Sequence, residues 1–116
     1  MAVADDILAA LSAGAKAGAT AAQSAGQDLV QDVEKFLIPH LEDIAIQVAS
    51  IVVKREQGVF TDATAKALID SQEDAIETLV ETMLTLAVLA AQKIVNAIVS
   101  ALTQAVNAAL GFALLA

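Results

Sequence analysis

Charged residues are confined almost entirely to the middle of this chain, and that arrangement limits the folds open to it. Twelve of the fourteen acidic residues lie between Asp28 and Glu81, together with four of the six basic residues. The first 27 residues carry three charges, and no charge follows Lys93. The chain therefore has a charged middle and two nearly uncharged ends, which a stable fold has to cover or pair.

The composition of the apolar residues favours helices. Hydrophobic residues make up 58% of the chain, but there are only three Phe and no Trp or Tyr. A core of Ala, Val, Leu and Ile suits close helix packing, and one Pro and five Gly favour long helices over a turn-rich β fold. We predict an all-α protein that forms a single unit over residues 1–116.

A turn is predicted at residues 58–61, close to the midpoint of the chain. Two basic residues precede Gly58, as is favourable at the end of a helix, and Gly58 can take the left-handed conformation that ends one. Thr61 or Asp62 can cap the next helix. The predicted fold is a long antiparallel helical hairpin with arms of roughly 75–80 Å at about 1.5 Å per residue. In that hairpin the two nearly uncharged ends lie side by side.

The second arm, residues 62–116, has the period of one long helix. Its polar residues stay in phase over about ten turns, which predicts a straight helix from about Asp62 to about Leu114. The polar face consists of Ser71, Asp74, Thr78, Thr82, Thr85, Gln92, Asn96, Ser100, Thr103 and Asn107. Two further rows are apolar: Ala90, Ala97, Ala101, Ala105 and Ala108, and behind them Leu84, Val88, Val95, Val99, Leu102 and Val106.

The first arm is less regular. Residues 28–57 form a predicted amphipathic helix, and Pro39 within it predicts a kink rather than a new start. Because Ser24 or Asp28 could cap a separate helix, a break near Gly26 is also open. The apolar stripe of this helix is Val30, Val33, Leu37, Leu41, Ile44, Val48 and Val52.

Residues 1–27 contain small residues at every fourth position, which we call the small-residue seam: Ala10, Gly14, Gly18, Ala22 and Gly26. On a helix they form a continuous surface that a second helix can approach closely. Each Gly inside a helix costs roughly 1 kcal/mol relative to Ala, so this spacing predicts packing that offsets the cost. The alternative is an Ala/Gly-rich tail without structure.

The segment Ile94–Ala116 is long enough to cross a bilayer, since about twenty apolar residues suffice. A lone inserted helix would be marginal because polar residues interrupt it, whereas a ring of such helices could turn them toward a wet lumen. The proposed lumen lining, called the polar stripe, is Gln92, Asn96, Ser100, Thr103 and Asn107. The lack of Trp, Tyr and flanking basic residues counts against insertion. A buried helix in a soluble oligomer is the alternative.

Several functions are disfavoured by what the sequence lacks. The chain has no Cys, and its net charge of −8 argues against nucleic-acid binding and gives no basic patch for anionic lipid. Asp5 and Asp6 lie where a secretory signal would be basic, so no ordinary signal peptide is predicted. His40 is the only His, and the adjacent acidic residues point to different sides of a helix. We predict no enzyme activity, no cofactor and no metal site.

The Ala-rich composition, the small-residue seam and the hydrophobic C-terminal helix together resemble the small internal or ejection proteins of short-tailed bacteriophages. The resemblance implies a virion protein that is delivered into the host envelope and assembles there into a channel for DNA. It implies as partners copies of the chain itself, a lipid membrane and other virion proteins.

The leading hypothesis is therefore a non-enzymatic hairpin that assembles side by side into a ring or tube across or within the bacterial envelope. A second hypothesis is a soluble helical-bundle oligomer, cytoplasmic, that acts as a structural or interaction module. A third is a holin-like or pore-forming lysis protein, which the absence of a basic tail disfavours.

Overall fold

The computed structural model describes residues 3–23, 28–84 and 88–111, and this part of the chain is helical, with no β-strand. The all-α prediction is confirmed. The elements are α1 (Val3–Ala22), α2 (Leu29–Asp32), a π-helical turn (Val33–Leu37), α3 (Ile38–Glu56), α4 (Asp62–Met83) and α5 (Val88–Leu110).

The first arm contains a break and a π-helical turn. Asp28 caps α2 by accepting a hydrogen bond of 3.0 Å from the N–H of Gln31, and the N–H of Leu29 donates to Oε1 of Gln23 at 2.9 Å. The chain then stays helical to the end of α3, although Pro39 has no N–H to donate. The wider π turn before Pro39 accommodates this, as single π turns commonly do within α-helices. Gly26, where a break was predicted, lies outside the described residues.

The turn between α3 and α4 has the predicted chemistry. Gly58 has a φ of +78°, and the N–H of Val59 bonds back to the carbonyl of Lys54 at 2.8 Å. Thr61 caps α4 by accepting a hydrogen bond from the N–H of Thr64 at 3.2 Å. An ion pair between Arg55 and Asp62 closes the turn from the side.

The predicted uninterrupted helix over residues 62–116 is wrong. Leu84 is extended, with φ −119° and ψ 125°, and it ends α4; α5 then ends at Leu110, and Gly111 takes a φ of +78°. The physical reason lies in α5, which has two apolar rows. A two-helix hairpin can cover only the alanine row, and folding the arm at Leu84 allows the second row to be buried as well. Leu102 and Val106 of that second row are fully buried.

The helices form an up-down-up-down four-helix bundle rather than the predicted extended hairpin. α1 packs most extensively along α5 and also along α3, while α4 packs against α3 and α5. Gln47 of α3 meets Gln72 of α4 at 2.8 Å across the turn that joins them, so these two helices are antiparallel. Gly14 meets Ala101 while Gly18 meets Ile94, so α1 and α5 are antiparallel as well. The molecule measures 49 × 26 × 21 Å, well short of the predicted arm length.

The core is aliphatic. In the described part of the chain no polar or charged side chain is buried, and Phe36 is 45% exposed. The largest fully buried side chains are Ile7, Leu11, Val33, Leu37, Leu41, Val48, Val52, Ile69, Ile76, Ile94, Ile98 and Leu102. Every helix except the short α2 contributes several buried residues to this core. The core is therefore covered on all sides by helices of one chain.

Candidate interaction surface

The small-residue seam lies between α1 and α5. A Cβ added to Gly14 would be 2.9 Å from both the Cβ of Ala101 and the carbonyl oxygen of Ala97. One added to Gly18 would be 2.8 Å from the Cα of Ile94. These distances are shorter than real Cβ contacts, so α1 and α5 approach each other as closely as they do because both positions lack a side chain.

The other seam positions contribute less. Ala10 and Ala22 are partly buried, and Gly26 lies outside the described residues. The nearly uncharged ends of the chain therefore do pack on one another, but the contact lies inside one chain. In this closed bundle Gly14 and Gly18 are buried and are not free to contact a second copy.

The polar stripe runs along the outside of α5. Gln92, Asn96 and Ser100 are exposed, while Thr103 and Asn107 are partly buried. The amide of Gln92 donates to Oδ1 of Asn96 at 2.8 Å, a hydrogen bond within the helix surface. Within a single chain the stripe faces solvent, and its role as a lumen lining stays a prediction.

A shallow groove on the outer side of the α1–α5 pair has a mainly apolar wall, and we call it the outer groove. Most of its side chains are methyl groups of Ala, several of them exposed. Its lining residues are Asp6, Ala10, Ala13, Gly14, Ala17, Ala101, Gln104, Ala105, Ala108 and Ala109. Sequence reasoning found the alanine row on α5 and the seam residue Ala10 on α1, but it missed Ala13 and Ala17, which lie beside the seam at helical spacing.

Charge separates the bundle into two sides. α1 and α5 together carry two acidic and two basic residues, so their charges cancel. Residues 28–83 carry twelve acidic and four basic residues, which accounts for the whole net charge of −8. The outer groove therefore lies on the neutral side of a protein that is otherwise strongly acidic.

Lys16, a charge within the seam segment, points away from the groove. Its Nζ lies 3.7 Å from Oε1 of Glu34, and both side chains are about half exposed. An exposed pair of this kind contributes about 0–1 kcal/mol to stability, so it mainly accommodates the charge at the surface. Lys16 thus does not disturb the contact between α1 and α5.

His40 and the adjacent acidic residues predicted to be solvated lie at or near the surface. His40 is exposed, as are Glu42 and Asp43. Partial burial raises the pKa of Glu73, and the negative charges of Asp70 and Asp74 raise it further. No group of three His, Asp or Glu side chains that could hold a metal ion occurs among the residues the structure describes.

Two helical segments are long and apolar enough to cross a membrane: Leu29–Glu56 and Leu89–Leu110. In the apolar window of the first, 44% of the residues are buried in the bundle, and in that of the second 28%. Core helices of soluble proteins meet the same criterion, so length and composition do not distinguish a membrane span from a core helix in these segments.

The described residues define the class of this protein: a four-helix bundle with one neutral side and one acidic side. Comparison with protein-family models, with curated proteins and with solved structures finds no match to this chain.

Proposed function

We propose that this protein is a non-enzymatic structural module, a closed helical bundle that associates with copies of itself through the side formed by α1 and α5. The acidic side, formed by α2, α3 and α4, stays in water and keeps the assembly soluble. This proposal is the soluble-oligomer hypothesis with the contact between copies assigned to the side formed by α1 and α5.

The observation that carries the proposal is the separation of charge in a bundle whose core is already complete. An acidic surface with a net charge of −8 repels other copies at low ionic strength. The neutral side does not, and its outer groove exposes apolar surface. Lateral contact is therefore least costly through α1 and α5, where little charge has to be desolvated.

A second candidate function is the envelope channel implied by the resemblance to phage ejection proteins. The specific observation in its favour is that α5 and the Leu29–Glu56 segment have the length and hydropathy of membrane spans. On this proposal the bundle opens at the membrane, so that the seam and the polar stripe turn toward other chains. Virion and host envelope would then be its locations, and lipid and other virion proteins its partners.

One experiment separates the two candidates. The protein is purified with and without detergent, its mass is measured by analytical ultracentrifugation, and binding is tested by flotation with neutral and anionic liposomes. The soluble module gives a defined oligomer without detergent and no lipid binding. A channel protein floats with liposomes and gives rings or tubes in electron micrographs. Monomers under every condition, without lipid binding, would contradict both.

A further inference from the structure

Two charged residues, Asp6 and Lys93, mark opposite ends of the outer groove. Asp6 lines the groove beside the C-terminal end of α5, with Ala105, Ala108 and Ala109. Lys93 lies just beyond the other end, because Gly18, which follows the last lining residue of α1, packs against the backbone of Lys93 and Ile94. The groove therefore has a negative charge at one end, a positive charge just beyond the other and no charged lining residue between them.

Lys93 also faces the outer side of the groove. It precedes Gln104, a groove residue, by eleven positions, which at about 3.6 residues per turn brings the two within roughly 20° of each other around α5. Lys93 is exposed, and in the described part of the chain neither Lys93 nor Asp6 takes part in an ion pair. With α1 and α5 antiparallel, about 20 Å separates the two charges along the helices at 1.5 Å per residue.

We propose that two copies of this chain form an antiparallel dimer with twofold symmetry through the outer groove, with Asp6 of each copy against Lys93 of the other. The proposal rests on the proposed function, since it specifies the geometry of that self-association. A twofold axis across the middle of the groove places the negative end of each copy on the positive end of the other. The parallel arrangement brings like charges together and is disfavoured.

The available surface matches what a dimer needs. Two adjacent helices of about 10 Å diameter and 30 Å length present roughly 600 Å² on each copy, or about 1,200 Å² in total, the lower end of the range for stable interfaces. Alanine side chains let the helices of the two copies approach closely. Because the contact is made by the same patch on both copies, it closes as a dimer and does not propagate into a fibre.

Charge reversal tests the pairing directly. In Asp6→Lys two lysines meet at each end of the dimer, and in Lys93→Asp two aspartates do. Each single variant should dimerise about tenfold more weakly at low salt, with a smaller effect at high salt. The double variant should regain the wild-type dissociation constant. An equimolar mixture of the two single variants should form the heterodimer in preference to either homodimer, because both of its contacts are then attractive.

Analytical ultracentrifugation gives the dissociation constants, and native mass spectrometry counts the heterodimer. Asp5→Lys is the matched control on α1, since it has the same effect on the helix terminus but lies about 100° away from Asp6 around the helix. Lys66→Asp on α4 is the control for a lost lysine. Both should dimerise as wild type, and circular dichroism should show all variants folded.

A second measurement uses the absence of cysteine from the chain. Ala13 lies near the middle of the groove, so Ala13→Cys should be cross-linked between copies by a short bifunctional thiol reagent. Ala67→Cys, exposed on α4, should not.

A dimer that ignores the charge reversals, or a mixture without heterodimer preference, overturns this geometry and leaves self-association standing. A wild-type protein that is monomeric at all concentrations overturns both the dimer geometry and the proposed self-association. Binding of the groove to liposomes, with no dimer in solution, overturns the dimer and favours the membrane candidate.

Discussion

Gly18 of α1 and Ile94 of α5 approach so closely that a Cβ on Gly18 would lie 2.8 Å from the Cα of Ile94. The contact is with backbone, so a side chain cannot simply rotate away. Its effect is to hold the two nearly uncharged ends of the chain together as the most extensive helix contact in the molecule. The seam is thus a folding contact first, and changes in it should affect stability before they affect assembly.

Gly18→Ala should destabilise the bundle by about 1–2 kcal/mol, because overpacking exceeds the helix propensity that Ala gains over Gly. Thermal and urea unfolding followed by circular dichroism measure this. Ala9→Leu, an exposed position on the same helix, is the control and should change stability by less than about 0.5 kcal/mol. A Gly18→Ala protein as stable as wild type would mean that α1 and α5 do not approach each other as closely as this 2.8 Å distance requires.

Gly58→Ala should cost about 1 kcal/mol for a different reason. Nothing lies within 4 Å of a Cβ at this position, but φ is +78°, which disfavours any L side chain. Gly58→Asn should cost less, because Asn tolerates the left-handed conformation better. Urea denaturation gives both values. Equal stability of the Ala and Gly proteins would contradict the left-handed turn.

Thr61→Ala should cost about 1 kcal/mol through loss of the N-cap of α4. The hydroxyl oxygen of Thr61 accepts a hydrogen bond from the N–H of Thr64. In Thr61→Ala this N–H loses its side-chain acceptor. Thr61→Ser should retain most of the stability. Thr82→Ala, exposed near the other end of α4, is the control and should be close to neutral.

Glu73 should make the bundle more stable at acidic than at neutral pH. Its pKa is raised in the folded state by burial and by Asp70 and Asp74, so folding disfavours the ionised carboxylate relative to the unfolded chain. At a pH above the pKa of Glu73 in the folded state, its ionised carboxylate lowers the free energy of unfolding. This loss shrinks as the pH falls through that pKa, and it is gone below the pKa of Glu73 in the unfolded chain.

Glu73→Gln should therefore be more stable than wild type at neutral pH, and the difference should vanish below about pH 4. The gain is small because the side chain is only partly buried, and added salt should reduce it. Urea denaturation across the pH range gives the comparison, and Glu56→Gln controls for the lost charge. A gain that persists at low pH would contradict the assignment.

The bend between α4 and α5 at Leu84 can be tested by measuring the distance between one site on each helix. Ser71→Cys and Ser100→Cys are exposed sites in a chain without native cysteine, so both can carry spin labels. One straight helix would separate these sites by about 43 Å at 1.5 Å per residue. In the bundle, α4 and α5 pack antiparallel about 10 Å apart, and the separation falls to roughly 25 Å or less. A measured distance near about 43 Å would support one straight helix and contradict the bend at Leu84.

Local sequence patterns sufficed to predict the helical class, the turn at Gly58 and a helix cap at Thr61 or Asp62, of which the structure uses Thr61. These depend on local chemistry, namely positive φ, a side-chain hydroxyl and helical periodicity, and each can be read within a few residues. The sequence also indicated that the seam would face the C-terminal segment, since both lack charge.

The position of the bend in the second arm follows from tertiary packing. No Gly or Pro marks the bend at Leu84, and the polar face stays in phase across it, so local propensity favours a straight helix. The bend follows from the second apolar row of α5, of which Leu102 and Val106 are buried only when four helices surround one core. The tertiary structure likewise turned the seam into a contact within one chain and brought the alanines of α1 and α5 together on the outside. Packing of residues far apart in sequence sets both features, and periodicity along one helix does not reveal them.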